Sequence, residues 1–305
     1  MKRPSRIIVA ATGVSEALTL SPPEAPNVQS VRRDWSDLGP RIISSLVLAI
    51  SGVLAAWHGG AWLAAACGAA VVAMSFEWAR MSEPATFNTA FMFTLAGSLG
   101  AVMFASWHLL AYGVAWMALC ALASATRRRS LAGILETAGG TFYVGLPCSV
   151  FLWLRGSTPR GLETVFTLFA IIWAADVFAY FGGKLMGGPK IATGLSPNKT
   201  WSGIISGVAA GAATGAGCGV VAQAPAGTTG VWLLVGALIA FTGLMGDLIE
   251  SFLKRRFGVK DASKIIPGHG GVLDRIDGLM AATLLTCAVL VLWPEAQIAL
   301  FGVAP

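Results

Sequence analysis

Charged residues are scarce in this chain of 305 residues: 12% are Asp, Glu, Lys or Arg, whereas 55% are hydrophobic. A soluble domain has about 25% charged residues, so the composition excludes an ordinary soluble globular protein. Histidine and tyrosine are also rare, with three residues each. The five cysteines occur singly within apolar runs, and without a CxxC or metal-ligand spacing they give no support to a disulfide framework or a zinc site.

Three catalytic motifs are absent as well. The chain contains no GxSxG nucleophile elbow, no HExxH zinc motif and no GxxxxGK[ST] phosphate-binding loop. Their absence indicates a chemistry that needs no activated side-chain nucleophile.

Long apolar runs fill most of the chain. A transmembrane helix needs roughly 17–25 predominantly apolar residues. Nine candidate runs are present, at residues 42–58, 61–79, 87–105, 108–125, 134–154, 162–182, 202–222, 231–250 and 278–294. The sequence therefore predicts an all-α, polytopic integral membrane protein with about nine transmembrane helices.

The positions of the Lys and Arg residues predict the topology. If the N-terminus is cytoplasmic, all but two of the 21 Lys and Arg residues fall in cytoplasmic segments, and the two exceptions are Arg155 and Arg160. An excess of cations marks the cytoplasmic loops of membrane proteins. We therefore predict nine spans, with the N-terminus in the cytoplasm and the C-terminus outside.

Residues 1–37 are more polar than the rest of the chain. We predict a disordered cytoplasmic tail rather than a signal peptide, because the apolar run near the start is short and Glu16 follows it. Residues 38–305 then form the transmembrane domain.

The transmembrane domain is expected to contain scaffold helices in 38–130 and catalytic helices and loops in 131–305. Within the scaffold, Glu77 and Arg80 are spaced i, i+3 at a predicted membrane border, where an ion pair is ordinary. On this interpretation Glu77→Gln should change activity only a few-fold.

The seventh apolar run carries a glycine at every fourth position: Gly203, Gly207, Gly211, Gly215 and Gly219. Such a ridge of small residues lets another helix approach closely in lipid. It indicates helix packing, with the partner either in the same chain or in another subunit.

Polar residues near the sixth and seventh runs are candidates for ligand binding. Asp176 lies within the sixth run, with Tyr180 four residues later on the same helical face. Lys199 and Thr200 stand at the start of the seventh run, where backbone amides and the helix dipole favour an anion. Two alternatives stay open, since Asp176 could be satisfied by a neighbouring helix and Lys199 could be a topology signal.

Residues 251–277 form a dense polar segment between two apolar runs. Four polar side chains share one face of the preceding helix at spacings of i, i+3, i+4 and i+7: Asp247, Glu250, Ser251 and Lys254. Asp274 and Asp277 repeat the i, i+3 spacing at the start of the ninth run. Two acid-bearing helix ends joined by a basic, glycine-rich loop predict a site for Mg²⁺ and a polyphosphate. In that loop, His269 could bind a phosphate or hold the loop.

This segment resembles the signature of the phosphatidate cytidylyltransferase family, also called CDP-diacylglycerol synthases. The matching positions are Ser251, Lys254-Arg255, Lys260-Asp261, Ser263, Pro267, His269-Gly270-Gly271, Asp274-Arg275 and Asp277. The resemblance extends upstream and covers roughly residues 140–294, through Gly246-Asp247 with Glu250-Ser251, Ser196-Pro197 with Lys199-Thr200, and Asp176 with Ala179-Tyr180. One departure is Ser202, at a position where the family usually has a glutamate.

The resemblance implies transfer of a cytidylyl group from CTP to phosphatidate, giving CDP-diacylglycerol and pyrophosphate for phospholipid biosynthesis, with Mg²⁺ as cofactor. It implies that Asp247 and Asp274 bind the metal, with Asp277 or Asp176 assisting, and that Lys254, Arg255 and Arg275 hold phosphates. The further substrate-binding candidates are Asp176, Tyr180, Lys199, Thr200, Ser251, Lys260 and His269.

The expected partners are CTP, phosphatidate and the lipid bilayer, without nucleic acid, and a homodimer is left open. The resemblance also implies an active site that faces the cytoplasm from the cell inner (plasma) membrane. A CTP-dependent polyprenol or lipid kinase is one rival, and it would transfer the γ-phosphate and release CDP. A transporter is the other rival, but transport sites tend to lie near the membrane midplane and not at one face.

Overall fold

The computed structural model describes residues 38–127, 130–263, 265–266, 270–293, 295, 298 and 300, with the backbone alone for 38–42. The predicted tail at residues 1–37 and the candidate His269 lie outside the described residues.

Nine α-helices and one β-hairpin account for most of the described chain. In chain order they are α1 (Leu38–His58), α2 (Gly60–Ser82), α3 (Phe87–Ser106), α4 (Leu110–Ser124), α5 (Leu131–Ser157), α6 (Gly161–Met186), β1 (Lys190–Ala192), β2 (Ser196–Thr200), α7 (Trp201–Val221), α8 (Thr229–Arg256) and α9 (Leu273–Leu292). Each predicted apolar run coincides with one helix, because a backbone in lipid must satisfy its hydrogen bonds within the segment.

The β-hairpin was missed by the all-α prediction. Strands β1 and β2 pair in antiparallel fashion, with Lys190 opposite Thr200. Gly187 and Gly188, which both have positive φ, end α6 just before the first strand. Strands of three and five residues are too short to give a periodic signal in the sequence.

Seven of the helices in the described part of the chain are long and apolar enough to cross a membrane. The other two apolar helices are shorter by this measure, at Ile43–His58 within α1 and Leu110–Ser124. Since a helix rises about 1.5 Å per residue, α4 extends only about 22 Å, less than the hydrocarbon core of about 30 Å. The structure therefore supports a membrane protein with several spans.

The glycine ridge of α7 packs against helices of the same chain. All five ridge glycines are buried. A Cβ atom on Gly207 would lie 2.9 Å from the carbonyl oxygen of Ala175 in α6, and one on Gly215 would lie 2.6 Å from that of Trp232 in α8. The alternative left open by the sequence is thus resolved for this ridge, because its partner helices are α6 and α8.

Contacts at the two ends of α5 show which helix ends lie at each end of the bundle. Near its C-terminus, the Arg155 guanidinium donates to the carbonyls of Ala56 (2.7 Å) and Trp57 (3.0 Å) in α1. Near its N-terminus, the Glu136 carbonyl accepts a bond from Trp78 of α2 (3.0 Å), and its carboxylate lies 3.9 Å from Arg256 of α8. The ends of α2 and α8 that were predicted to be cytoplasmic therefore meet at one end of the bundle.

Candidate active site

A polar cavity of 980 Å³ lies at this end, among α6, β2, α7, α8 and α9. Nine of the candidate residues line it: Asp176, Tyr180, Lys199, Thr200, Asp247, Lys254, Asp274, Arg275 and Asp277. Three others, Ser251, Arg255 and Lys260, are not among its lining residues. The exposed Arg255 lies 3.4 Å from the carbonyl of Val259, so it bonds locally instead.

Three carboxylates form the most acidic part of the polar cavity. One oxygen each from Asp247, Glu250 and Asp277 lies within 4.8 Å of the other two, and this group is named the carboxylate cluster. Glu250 is 3% exposed, and its Oε1 has no hydrogen-bond partner among the described residues. A buried, unpaired carboxylate oxygen is costly unless a cation meets it. The donor set therefore fits a hard divalent cation, which prefers oxygen ligands.

Lys254 and Asp274 form an ion pair that borders the carboxylate cluster. The Lys254 ammonium lies 2.6 Å from Glu250 Oε2 and 2.5 Å from Asp274 Oδ1. The second oxygen of Asp274 accepts from the backbone N–H of Gly271 at 2.8 Å. The structure thus brings Glu250 and Asp277 to Asp247, whereas the sequence analysis favoured Asp274 as the second ligand. The i, i+3 spacing of Asp247 and Glu250 was the signal that could have placed Glu250 in the carboxylate cluster.

The hairpin end holds Lys199 against α8. Its ammonium lies 2.6 Å from Asp247 Oδ2 and 3.3 Å from the carbonyl oxygen of Leu244. Thr200 is buried, and its hydroxyl accepts from the backbone N–H of Gly203 at 3.2 Å, so it caps the start of α7. Ser202, at the position of the family glutamate, donates to the carbonyl of Gly187 and so ties α7 to the end of α6.

Glu77, which the sequence analysis assigned to the scaffold, bonds the segment that precedes α9. It is completely buried, while Arg80 is exposed, so the interpretation of an ordinary ion pair at a membrane border was wrong. Its carboxylate accepts bonds from the Ser263 hydroxyl (2.6 Å) and from the backbone N–H groups of Val272 (2.8 Å) and Leu273 (2.9 Å). No local pattern could reveal these contacts, because the partners follow Glu77 by almost 200 residues.

A second, apolar cavity of 320 Å³ adjoins the first. Its lining comes from α1, α2, α5, α6 and α9, with Leu48 and Phe151 among its apolar residues. Asp176 and Arg275 line both cavities, together with Ile172 and Leu279. The polar cavity thus meets the apolar cavity at the Asp176 carboxylate and the Arg275 guanidinium.

Several known proteins are similar in sequence to this chain. A model of the cytidylyltransferase family matches residues 39–293. The chain is 40% identical over 255 residues to a phosphatidate cytidylyltransferase from Brucella abortus, covering 82% of this chain and 92% of that protein. It is 35% identical over 268 residues to one from Pseudomonas aeruginosa, covering 83% and 97%. A match to one from Staphylococcus aureus is 37% identical over 145 residues, covering 45% and 52%.

Proposed function

The chain belongs to the cytidylyltransferase family, and on this premise we propose that it transfers a cytidylyl group from CTP to phosphatidate. The products are CDP-diacylglycerol, a precursor for phospholipid biosynthesis, and pyrophosphate. The relatives at 35–40% identity bear the name of this activity.

The observation that carries the proposal is the meeting of the two cavities at Asp176 and Arg275. The reaction joins a water-soluble triphosphate to a lipid phosphate. The polar cavity suits the triphosphate, and the apolar cavity suits the acyl chains, so the lipid phosphate would lie between them beside Arg275. Guanidinium groups bind phosphate through charge-assisted, bidentate hydrogen bonds.

The absence of a side-chain nucleophile fits this reaction. An oxygen of the lipid phosphate attacks the α-phosphorus of CTP, a new P–O bond forms, and the bond to the β-phosphate breaks with departure of pyrophosphate. A phosphomonoester has a second pKa of about 6, so it is already mostly dianionic at neutral pH and needs no strong general base. Positioning and charge neutralisation by the protein then supply most of the catalysis.

We propose Mg²⁺ as the cofactor, held by the carboxylate cluster of Asp247, Glu250 and Asp277. The orphaned Oε1 of Glu250 supports this assignment, as does the proximity of the three carboxylates. When bound, the ion would neutralise charge on the triphosphate and on the departing pyrophosphate. Asp274 acts differently in this proposal: it holds Lys254 at the edge of the polar cavity and bonds Gly271 before α9.

The cations around the polar cavity would bind phosphate oxygens. The position of Lys199, at the end of the hairpin and beside Asp247, supports a phosphate-binding role for its ammonium, which could contact a phosphate in the cavity with little movement. Lys254 uses two carboxylate partners and retains a third N–H for a phosphate. Contacts from Tyr180, Ser251, Arg255, Lys260 and His269 stay predictions.

We further propose that all nine helices span the inner membrane, with the N-terminus and the active site on the cytoplasmic side and the C-terminus outside. The distribution of Lys and Arg supports this topology. The contacts of α5, which put the α1 end and the α2 and α8 ends at opposite ends of the bundle, agree with it. A homodimer stays a prediction.

Separate labelling of CTP at its α- and γ-phosphates tests the reaction class. Purified protein with Mg²⁺ and phosphatidate should place α-label in the lipid product and γ-label in pyrophosphate. Transfer of γ-label to lipid would instead favour a CTP-dependent lipid kinase and contradict the proposal. Incorporation of neither label by folded protein would also contradict it.

A further inference from the structure

Glu77 belongs to α2 but bonds both sides of the loop that precedes α9. The Ser263 hydroxyl on one side and the Val272 and Leu273 N–H groups on the other all donate to its carboxylate. Among the described residues, no Lys or Arg lies within ion-pair distance of it. One buried anion thus joins the two sides of the loop by accepting hydrogen bonds from neutral donors.

The physical reason for an anion at this point is the start of α9. The first N–H groups of a helix lack partners within the helix and carry the positive end of its dipole. The N-cap residue is Val272, whose side chain cannot accept a hydrogen bond, so no side chain at that position caps the helix. Glu77 therefore supplies from another helix the capping carboxylate that the local sequence lacks.

Gly271 allows the backbone to approach this carboxylate. A Cβ atom at that position would lie 2.8 Å from Glu77 Oε1 and 2.9 Å from Oε2. The same residue donates its N–H to Asp274. Gly271, the capping carboxylate and the first turn of α9 are therefore packed as one unit.

The first turns of α9 contribute Asp277 to the carboxylate cluster and Asp274 to the Lys254 pair. Asp247 and Glu250 of that cluster lie on α8 instead. The geometry of the cluster thus depends on where α9 begins relative to α8, and Glu77 fixes that start.

We infer that Glu77 is a positioning residue that sets the affinity of the carboxylate cluster for its divalent cation. It lines neither cavity. It acts through the start of α9, and for the reaction itself this inference rests on the proposed function. Loss of a supporting contact behind metal ligands lowers metal affinity by roughly 10- to 100-fold.

Mn²⁺ binding to the purified protein, followed by electron paramagnetic resonance without CTP or lipid, tests the inference. Glu77→Gln keeps the size but places an amide N–H₂ against backbone donors. We expect it to weaken Mn²⁺ binding by roughly 10- to 100-fold and to raise the Mg²⁺ concentration for half-maximal turnover similarly. Saturating Mg²⁺ should restore most of the kcat of Glu77→Gln. Glu77→Asp keeps the charge, so its Mn²⁺ affinity should lie between those of the parent and Glu77→Gln.

Ser75→Ala is the matched control. Ser75 is buried in the same helix, and its hydroxyl has no hydrogen-bond partner among the described residues. This variant should bind Mn²⁺ like the parent protein. A Glu77→Gln protein with lower thermal stability but unchanged Mn²⁺ affinity would overturn the inference, because its role would then be structural alone.

Gly271→Ala keeps the test decisive if Glu77→Gln does not fold. Its added methyl group should push the carboxylate away from α9 and weaken Mn²⁺ binding in the same direction, and unchanged binding would overturn the inference. The two proposals also fail separately. If the parent protein makes no CDP-diacylglycerol but Glu77→Gln still weakens Mn²⁺ binding, the proposed function fails and the positioning role stands.

Discussion

Replacing Glu250 with Gln tests the carboxylate cluster, because it removes one charge while preserving side-chain size. The amide carbonyl can still accept a hydrogen bond from Lys254, which also keeps Asp274 at 2.5 Å. The amide N–H₂ would then occupy the place of Oε1, where it can donate to a neighbouring carboxylate but cannot bind a cation.

The electrostatic terms favour removal of the Glu250 charge when no cation is bound. Carboxylates within 4.8 Å of each other repel by at least about 3.5 kcal/mol at an effective dielectric constant of about 20. Removing the Glu250 charge relieves two such repulsions, about 7 kcal/mol, less some screening at the half-exposed Asp247. It also relieves repulsion from Asp274, which shares Lys254 with Glu250. The lost attraction to Lys254 at 2.6 Å is about 6 kcal/mol on the same scale. The variant should therefore fold with a metal-free Tm no lower than that of the parent.

Cation-dependent properties should behave differently. The parent should gain thermal stability on addition of Mg²⁺ or Mn²⁺, since a ligand that binds only the folded state stabilises it. Glu250→Gln should lose most of this gain, and its turnover should fall by a factor on the order of 10²–10³, as after loss of one electrostatic contact at a reacting centre. Thermal melts with and without the cation, together with label transfer over a range of Mg²⁺ concentrations, measure both effects. A variant with the full Tm gain and near-parent turnover would refute the carboxylate cluster as the metal site.

Three further predictions concern packing, the lipid site and topology. Gly215→Ala should lower the free energy of unfolding by about 1–3 kcal/mol or more and so reduce the yield of folded protein, because its Cβ would lie 2.6 Å from the backbone of α8. The control Gly217→Ala, whose Cβ would have no atom within 4 Å, should give the parent yield, and equal yields of the two variants in detergent would contradict the prediction. Gly52→Phe should fill part of the apolar cavity from α1 and so raise the KM for phosphatidate but not the KM for CTP. An equal rise in both KM values would contradict the assignment of this cavity to the lipid. Cysteines at Lys260 and Arg160 should react with impermeant reagents from opposite sides of the membrane, and labelling from the same side would disprove the topology.

The helices could be predicted because the membrane imposes one strong rule on sequence. A lipid-facing segment must be apolar and helical throughout, so run length alone located all nine helices. The β-hairpin between α6 and α7 escaped this rule, since it lies in a polar connector and its pairing depends on contacts between Lys190 and Thr200. The glycine ridge predicted close packing, but only the structure shows that Ala175 and Trp232 are the backbones it approaches.

For the site, helical spacing predicted which residues share a face but not which atoms remain free. Asp274 and Asp277 are equivalent by sequence, one turn apart at the start of α9. Lys254 and Gly271 engage both oxygens of Asp274, whereas Asp277 uses one oxygen for the N–H of Gly278 and extends toward α8. The difference arises from where α9 begins, which a carboxylate on α2 controls. Contacts between segments almost 200 residues apart leave no periodic trace in one sequence, so the division into scaffold and catalytic halves concealed the functional link that Glu77 makes between them.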